Sequence, residues 1–176
     1  MTLPMFKYHP DPVATGAVIE SGDACACCGK ARGFIYEGAV YGEKDIGGSL
    51  CPWCIADGSA AAKFGATFSD DNGLLDAELK NEIVEEITKR TPGFIAWQQD
   101  NWLVCCDDAC AYHGVADKSE LQALSGDKLE SVLEFLEWQP ATWTSFLASY
   151  EPGGDHAMHK FACRHCGEAH YMSDPN

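Results

Sequence analysis

The sequence has no apolar run approaching the length of a bilayer span, so no segment is expected to cross a membrane. Its opening, Met1-Thr-Leu-Pro-Met-Phe-Lys-Tyr-His-Pro10, lacks the apolar stretch and small-residue cleavage site of a secretory signal. A reducing cytoplasm is therefore the expected compartment. There is no phosphate-cradling glycine loop, no Gly-x-Ser-x-Gly, no His-Glu-x-x-His and no carboxylate pair spaced beside a histidine. No catalytic residue is assigned, and neither an enzyme nor a small-molecule substrate is expected. Low-complexity tracts and helical repeats are missing too.

Basic residues are scarce. Twelve Lys and Arg face 27 Asp and Glu, a formal charge of −15. The excess is lopsided: residues 1–66 carry seven acidic and five basic side chains, residues 67–176 twenty and seven. Such a surface repels phosphate backbones and argues against nucleic acid. It attracts basic proteins and speeds their encounter. Solubility is the plainer use of the same charge.

At 46% hydrophobic residues the chain can build a core. We expect an α+β fold in two parts. Residues 1–68 would form a proline-rich arm (residues 1–20, with His9 as a packing residue) and a small zinc-stabilised treble-clef or zinc-knuckle lobe. Residues 69–176 would form an acidic, helix-rich lobe closed by a zinc-knuckle hairpin. Gly33–Tyr36 and Ala39–Tyr41 read as strands of a hairpin turning at Gly38. Leu75, Leu79, Ile83 and Ile87 recur every four residues and predict one helix over 75–89, stopped by Thr91-Pro92-Gly93. Shorter helices are expected from Lys118, from Asp127 with a stripe of Leu129, Val132, Leu133 and Leu136, and from Pro140. Residues 158–172 suggest a hairpin. The five tryptophans read as core, and Asp107-Asp108 as part of the acidic face.

What the sequence has in quantity is cysteine, ten in all. In a reducing compartment clustered cysteines bind metal or do redox chemistry more often than they form structural disulfides. Cys25-x2-Cys28-Gly29 is followed at a distance by Cys51-Pro-Trp-Cys54. A two-residue turn between thiolates lets both sulfurs reach one ion, and Gly29 can take the left-handed conformation such a knuckle uses. Cys25, Cys28, Cys51 and Cys54 are thus the expected ligands of a first zinc. The alternative is a thiol-disulfide oxidoreductase using Cys51. It lacks the buried strand that should precede the motif, since Gly42–Ser49 is polar and glycine-rich.

The second set is Cys106-x3-Cys110 with Cys163-x2-Cys166-Gly167, giving Cys106, Cys110, Cys163 and Cys166 as expected ligands of a second zinc. Cys105 could replace Cys106, and His113 could replace Cys110. Cys27 and Cys105 are otherwise left over as small side chains, because neighbours in extended chain point oppositely. Among the histidines, His156, His159, His165 and His170 fall near the terminal knuckle and read as surface residues. Four protein ligands leave no open coordination position, so both zinc ions are expected to be structural.

Leu3-Pro4, Phe6–Pro12, Thr15-Gly16, Cys51-Pro-Trp-Cys-Ile-Ala-Asp-Gly-Ser-Ala60, Arg90–Gly93, Trp97-Gln-Gln99 and Cys106–Cys110 resemble the CbrC family, as does the terminal Cys163-x2-Cys166. The resemblance spans nearly the whole chain. One departure is Cys105, where that family has histidine. The resemblance implies tolerance to a nuclease toxin, with no catalytic activity assigned. Independently of it, the charge suggests a basic partner; together they suggest an immunity or tolerance protein. A regulatory or stress adaptor with an indirect effect on tolerance is the other reading.

Overall fold

The computed structural model describes residues 2–42 and 46–176. Of the polar Gly42–Ser49 stretch, Glu43, Lys44 and Asp45 therefore lie outside the described residues. Small antiparallel sheets and short helices alternate in an α+β arrangement. No described helix is long and apolar enough to cross a membrane.

β1 (Val18–Ala24) pairs with β2 (Ala31–Tyr36), and the first cysteine knuckle is the turn between them. The expected hairpin around Gly38 does not form: Tyr41 belongs to β3 (Tyr41–Gly42), which pairs with β4 (Ala66–Thr67). Val18 and Ile35 are buried, so β2 gains a partner that covers apolar surface, which Ala39–Tyr41 could not offer. Between β3 and β4 lie α1 (Pro52–Ala56) and α2 (Ser59–Phe64), separated at Gly58 with φ 77°.

The single helix expected over 75–89 is two, α3 (Asn72–Asp76) and α4 (Asn81–Arg90). Glu78 sits at φ 53°, a left-handed conformation that no α-helix continues through. The break re-aims the first turn, so Leu74 is buried and Leu75, expected on the core stripe, is 51% exposed. Next come β5 (Val104–Cys105), β6 (Asp108–Ala109) and β7 (Ala111–Val115). α5 (Lys118–Gln122), α6 (Gly126–Phe135) and α7 (Pro140–Ser149) follow, then β8 (His156–Ala162) and β9 (Ala169–Pro175). Asp127 lies in the first turn of α6, with Ser125 at the cap position instead.

The antiparallel sheet β7–β8–β9 is covered on both faces. Successive side chains of a strand point to opposite faces. His159 and Phe161 accordingly meet Phe94, and Phe161 also meets Trp102, while Met158 and Tyr171 join Leu121, Trp143, Phe146 and Tyr150 on the other side. A further core, around Phe6, Val18, Tyr36, Leu50, Ile55 and Phe68, surrounds the first cysteine group. The N-terminal arm is not a surface strap throughout. Tyr8 and His9 are fully buried, and the Tyr112 amide donates to the Tyr8 carbonyl at 2.8 Å. His9 bridges the Pro92 carbonyl (2.8 Å) and the Thr15 hydroxyl (2.6 Å), tying arm to loop.

Candidate metal centres

Both knuckles sit at hairpin tips and are built alike. In the first, between β1 and β2, the Cys25 amide donates to the Lys30 carbonyl (3.1 Å) and the Gly29 amide to the Cys25 carbonyl (2.7 Å). In the second, between β8 and β9, the Cys163 amide donates to Glu168 (2.8 Å) and the Gly167 amide to Cys163 (3.0 Å). Gly29 and Gly167 have φ 70° and 76°, the left-handed region a side chain disfavours. The chain thus turns tightly enough for two sulfurs to converge.

What completes each centre differs. At the first, Cys51 precedes α1 in extended conformation and Cys54 lies within it. Cys25, Cys28, Cys51 and Cys54 then form a group whose sulfurs all lie within 4.8 Å of one another. The Cys28 and Cys51 sulfurs are 4.0 Å apart. A tetrahedral ion with bonds of about 2.3 Å spaces its sulfurs about 3.8 Å apart, whereas a disulfide would need about 2.05 Å. The four residues named from sequence are therefore brought together in the form a metal requires.

At the second centre the structure gathers Cys105, Cys106, Cys163 and Cys166. Cys105 lies 3.7 Å from Cys106 and 3.9 Å from Cys166, sulfur to sulfur. Cys110, expected here, is outside the group: it is fully buried beneath the β5–β6 hairpin, its amide donating to the Leu103 carbonyl. His113 is outside it as well. The grouping differs from the one read from spacing because Cys105 and Cys106 are not consecutive residues of extended chain. They belong to a two-residue hairpin in which Cys105 pairs with Asp108, and Cys106 and Asp107 have φ of 54° and 55°. Left-handed backbone at both central positions marks the hairpin turn that suits strand twist. Curling there sends both adjacent sulfurs the same way. The signal in the sequence was Cys106-Asp107 between two short apolar stretches.

Backbone amides prepare one thiol in each group. Burial raises Cys25, but amides of Cys28, Cys51 and Cys27 outweigh it and bring the thiol down to about 7. The Cys166 amide, with that of His165, lowers Cys163 to about 6 despite some desolvation. Burial and crowding by other sulfurs push Cys51 up to about 11 and raise Cys54 and Cys105 further. Packed thiolates that repel one another are what a dication relieves, so the donor sets fit a metal ion. Four-sulfur tetrahedra suit zinc or iron.

Asp108 is not part of an acidic face. It is buried, accepting from Tyr8 Oη (2.6 Å), Arg164 Nη1 (2.8 Å) and His165 Nε2 (2.9 Å). Burial pushes its carboxyl up, and the Tyr8 and His165 bonds more than offset this, holding it below the usual range. It clasps the arm and the second knuckle to the hairpin. Cys27 stays outside the first group, its sulfur 3.6 Å from Ser59 Oγ.

A family model described as an uncharacterised protein family, UPF0167, matches residues 3–175. The chain belongs to UPF0167. A UPF0167 protein of Pseudomonas aeruginosa is 50% identical over 173 residues, covering 98% of this chain and 97% of its own. UPF0167 proteins of Mycobacterium bovis and Mycobacterium tuberculosis are each 38% identical over 167 residues, covering 94% of this chain and 89% of theirs. No solved structure matches. Neither the family model nor these relatives carries the CbrC name, so UPF0167 is the family shown.

Proposed function

We propose that this UPF0167 protein is a non-enzymatic cytoplasmic scaffold, held by two structural zinc ions, that works by binding a basic protein. The observation carrying the reading is the convergence of eight cysteines into two four-sulfur groups. Four protein ligands fill a tetrahedral zinc and leave no place for water or substrate, which makes such sites structural. In the first group Cys51 is almost wholly buried, unlike an exposed attacking thiol. The ligands we infer are Cys25, Cys28, Cys51 and Cys54, then Cys105, Cys106, Cys163 and Cys166. A charge of −15 supports a cationic partner. The CbrC resemblance makes a nuclease-type toxin domain the first partner to try, with this protein as its immunity factor.

Two measurements test the reading. Metal analysis of purified protein should return about two zinc ions per chain; none, with the cysteine pairs oxidised, would defeat the scaffold. Calorimetry with a basic nuclease domain should give binding that weakens steeply as salt rises. No binding even at low salt would remove the basic partner and leave the zinc assignment standing.

A further inference from the structure

Helix α6 closes in a defined set of hydrogen bonds. The Trp138 amide donates to the Leu133 carbonyl (2.8 Å) and the Glu137 amide to the Glu134 carbonyl (3.1 Å). This is the Schellman arrangement, which needs left-handed backbone just past the helix and so favours glycine there. Glu137 holds that place at φ 56°, against the preference of any residue with a side chain. Strain kept in a fold calls for a reason. What the turn fixes in position is Trp138, whose ring stands 5.2 Å from Phe146 and 5.9 Å from His156, centre to centre.

Those three rings stand in the walls of an open cleft of about 550 Å³, bounded by α7, the Glu151–Asp155 turn and the start of β8. That is room for a small organic molecule. Phe146 and His156 are 4.9 Å apart, and the ring planes meet at 63°, 81° and 64°, a corner rather than a stack. Trp138 and His156 are only half-buried, so neither is sealed off from solvent.

The charge of the cleft has one sign. Glu151 and Asp155, both exposed, belong to its walls, and no lysine or arginine does. Glu151 meets Lys118 at 3.4 Å, an exposed pair of little strength. Asp155 has no ion-pair partner among the described residues. His156 adds no positive charge at neutral pH, because burial lowers its imidazole below the usual range despite Asp174 nearby. Its Nε2 is engaged with Ser173 Oγ at 2.7 Å, which steadies the ring.

We propose that this cleft binds a small organic ammonium ion carrying an aromatic body, the body against Trp138, Phe146 and His156 and the charged head toward Asp155. Aromatic rings attract cations, and carboxylates at the mouth add to that attraction while repelling anions. A neutral molecule of the same shape gains from the rings alone. The site lies on the third core, which includes none of the cysteines of either group. It goes beyond the basic-partner reading, and neither stands or falls with the other.

The test is an NMR titration of the isotope-labelled protein as purified, at pH 7, with 2-phenylethylammonium. The neutral control of the same body is 2-phenylethanol. The ammonium should give saturable shifts at the Trp138 indole N–H and the Gly154 amide, with a Kd of about 5 mM or below. The alcohol should bind roughly fivefold more weakly or worse. Asp155→Asn, a change at an exposed side chain, should erase most of that preference. Ser145→Trp, which fills the cleft from the exposed side of α7, should abolish binding of both compounds. No saturable shift by about 50 mM, or an alcohol bound as tightly as the ammonium, overturns the proposal. So does binding that Ser145→Trp leaves intact, or a preference that Asp155→Asn leaves undiminished. Each of these outcomes leaves the basic-partner reading where it stands.

Discussion

Cys105 reaches the second centre only because Cys106 and Asp107 accept left-handed backbone, which costs an L-residue about 1–2 kcal/mol apiece. Asp107→Gly should relieve part of this, raising unfolding free energy by about 0.5–1 kcal/mol in denaturant titration with zinc content unchanged. A loss of stability would mean that the Asp107 side chain contributes more than its backbone costs. Substitutions at the flanking cysteines separate ligand from bystander. Cys105→Ser should lower zinc from about two ions toward one, while Cys110→Ala should leave both in place, measured on purified protein. The reverse result would restore the ligand set read from spacing.

His9 gives a pH dependence of definite sign. Burial, the leading cause, drives its imidazole from an ordinary 6.5 down to about 4. The unfolded chain therefore takes up this proton first. The stability His9 contributes is full above about pH 6.5 and is lost as pH falls toward 4, up to about 3 kcal/mol. His9→Gln should flatten the fall in urea midpoint between pH 7 and 5 relative to wild type. Parallel curves would show that other groups, the cysteine ligands included, carry the whole dependence.

Among the elements, the two knuckles were the most legible in advance, because Cys-x2-Cys-Gly states in five residues both the turn and the two sulfurs it brings together. Cβ atoms added at Gly29 and Gly167 would meet nothing within 4 Å, so their cost is backbone strain alone. Each Gly→Ala change should cost about 1 kcal/mol or somewhat more and weaken zinc retention at its own centre, read by chelator competition. Equal weakening at both centres would show that they are not independent. The β8–β9 hairpin and the helix from Pro140 were similarly plain in the sequence. Less legible was anything set by tertiary choice. The four-residue leucine–isoleucine spacing gave no hint of Glu78 breaking the helix, since Leu74 and Leu75 are equally apolar and only packing selects between them. β2 found β1 instead of residues 39–41 for the same reason. Asp108 read as part of the acidic face, yet it is buried among donors from distant segments, as are Asp100 and Asp174, which no pattern in the sequence singled out.

For the molecule as a whole, the two centres differ in shelter. Cys25, Cys51 and Cys54 are buried in the first core, whereas Cys106 and Cys166 are exposed. Chelation should therefore release zinc in two phases, the second centre emptying first, followed by a zinc-responsive dye alongside thiol titration. A single phase would mean that loss at one centre opens the other. The third core, built on α5, α6 and α7, includes none of the cysteines of either centre. It includes Met158 of β8, the strand that ends at Ala162 immediately before Cys163.

The spacing of the cysteines along the chain also sets the order in which the two groups can be completed during synthesis. The first group lies within the 30 residues from Cys25 to Cys54 and can assemble while most of the polypeptide is still unmade. The second must wait for Cys166, and until then Tyr8 lacks part of the surroundings that bury it, because Arg164 and His165 arrive together with that knuckle. A nascent chain leaving the ribosome would thus carry the first cysteine group, already complete in sequence, behind an undocked arm. Chaperone capture is most to be expected in that interval.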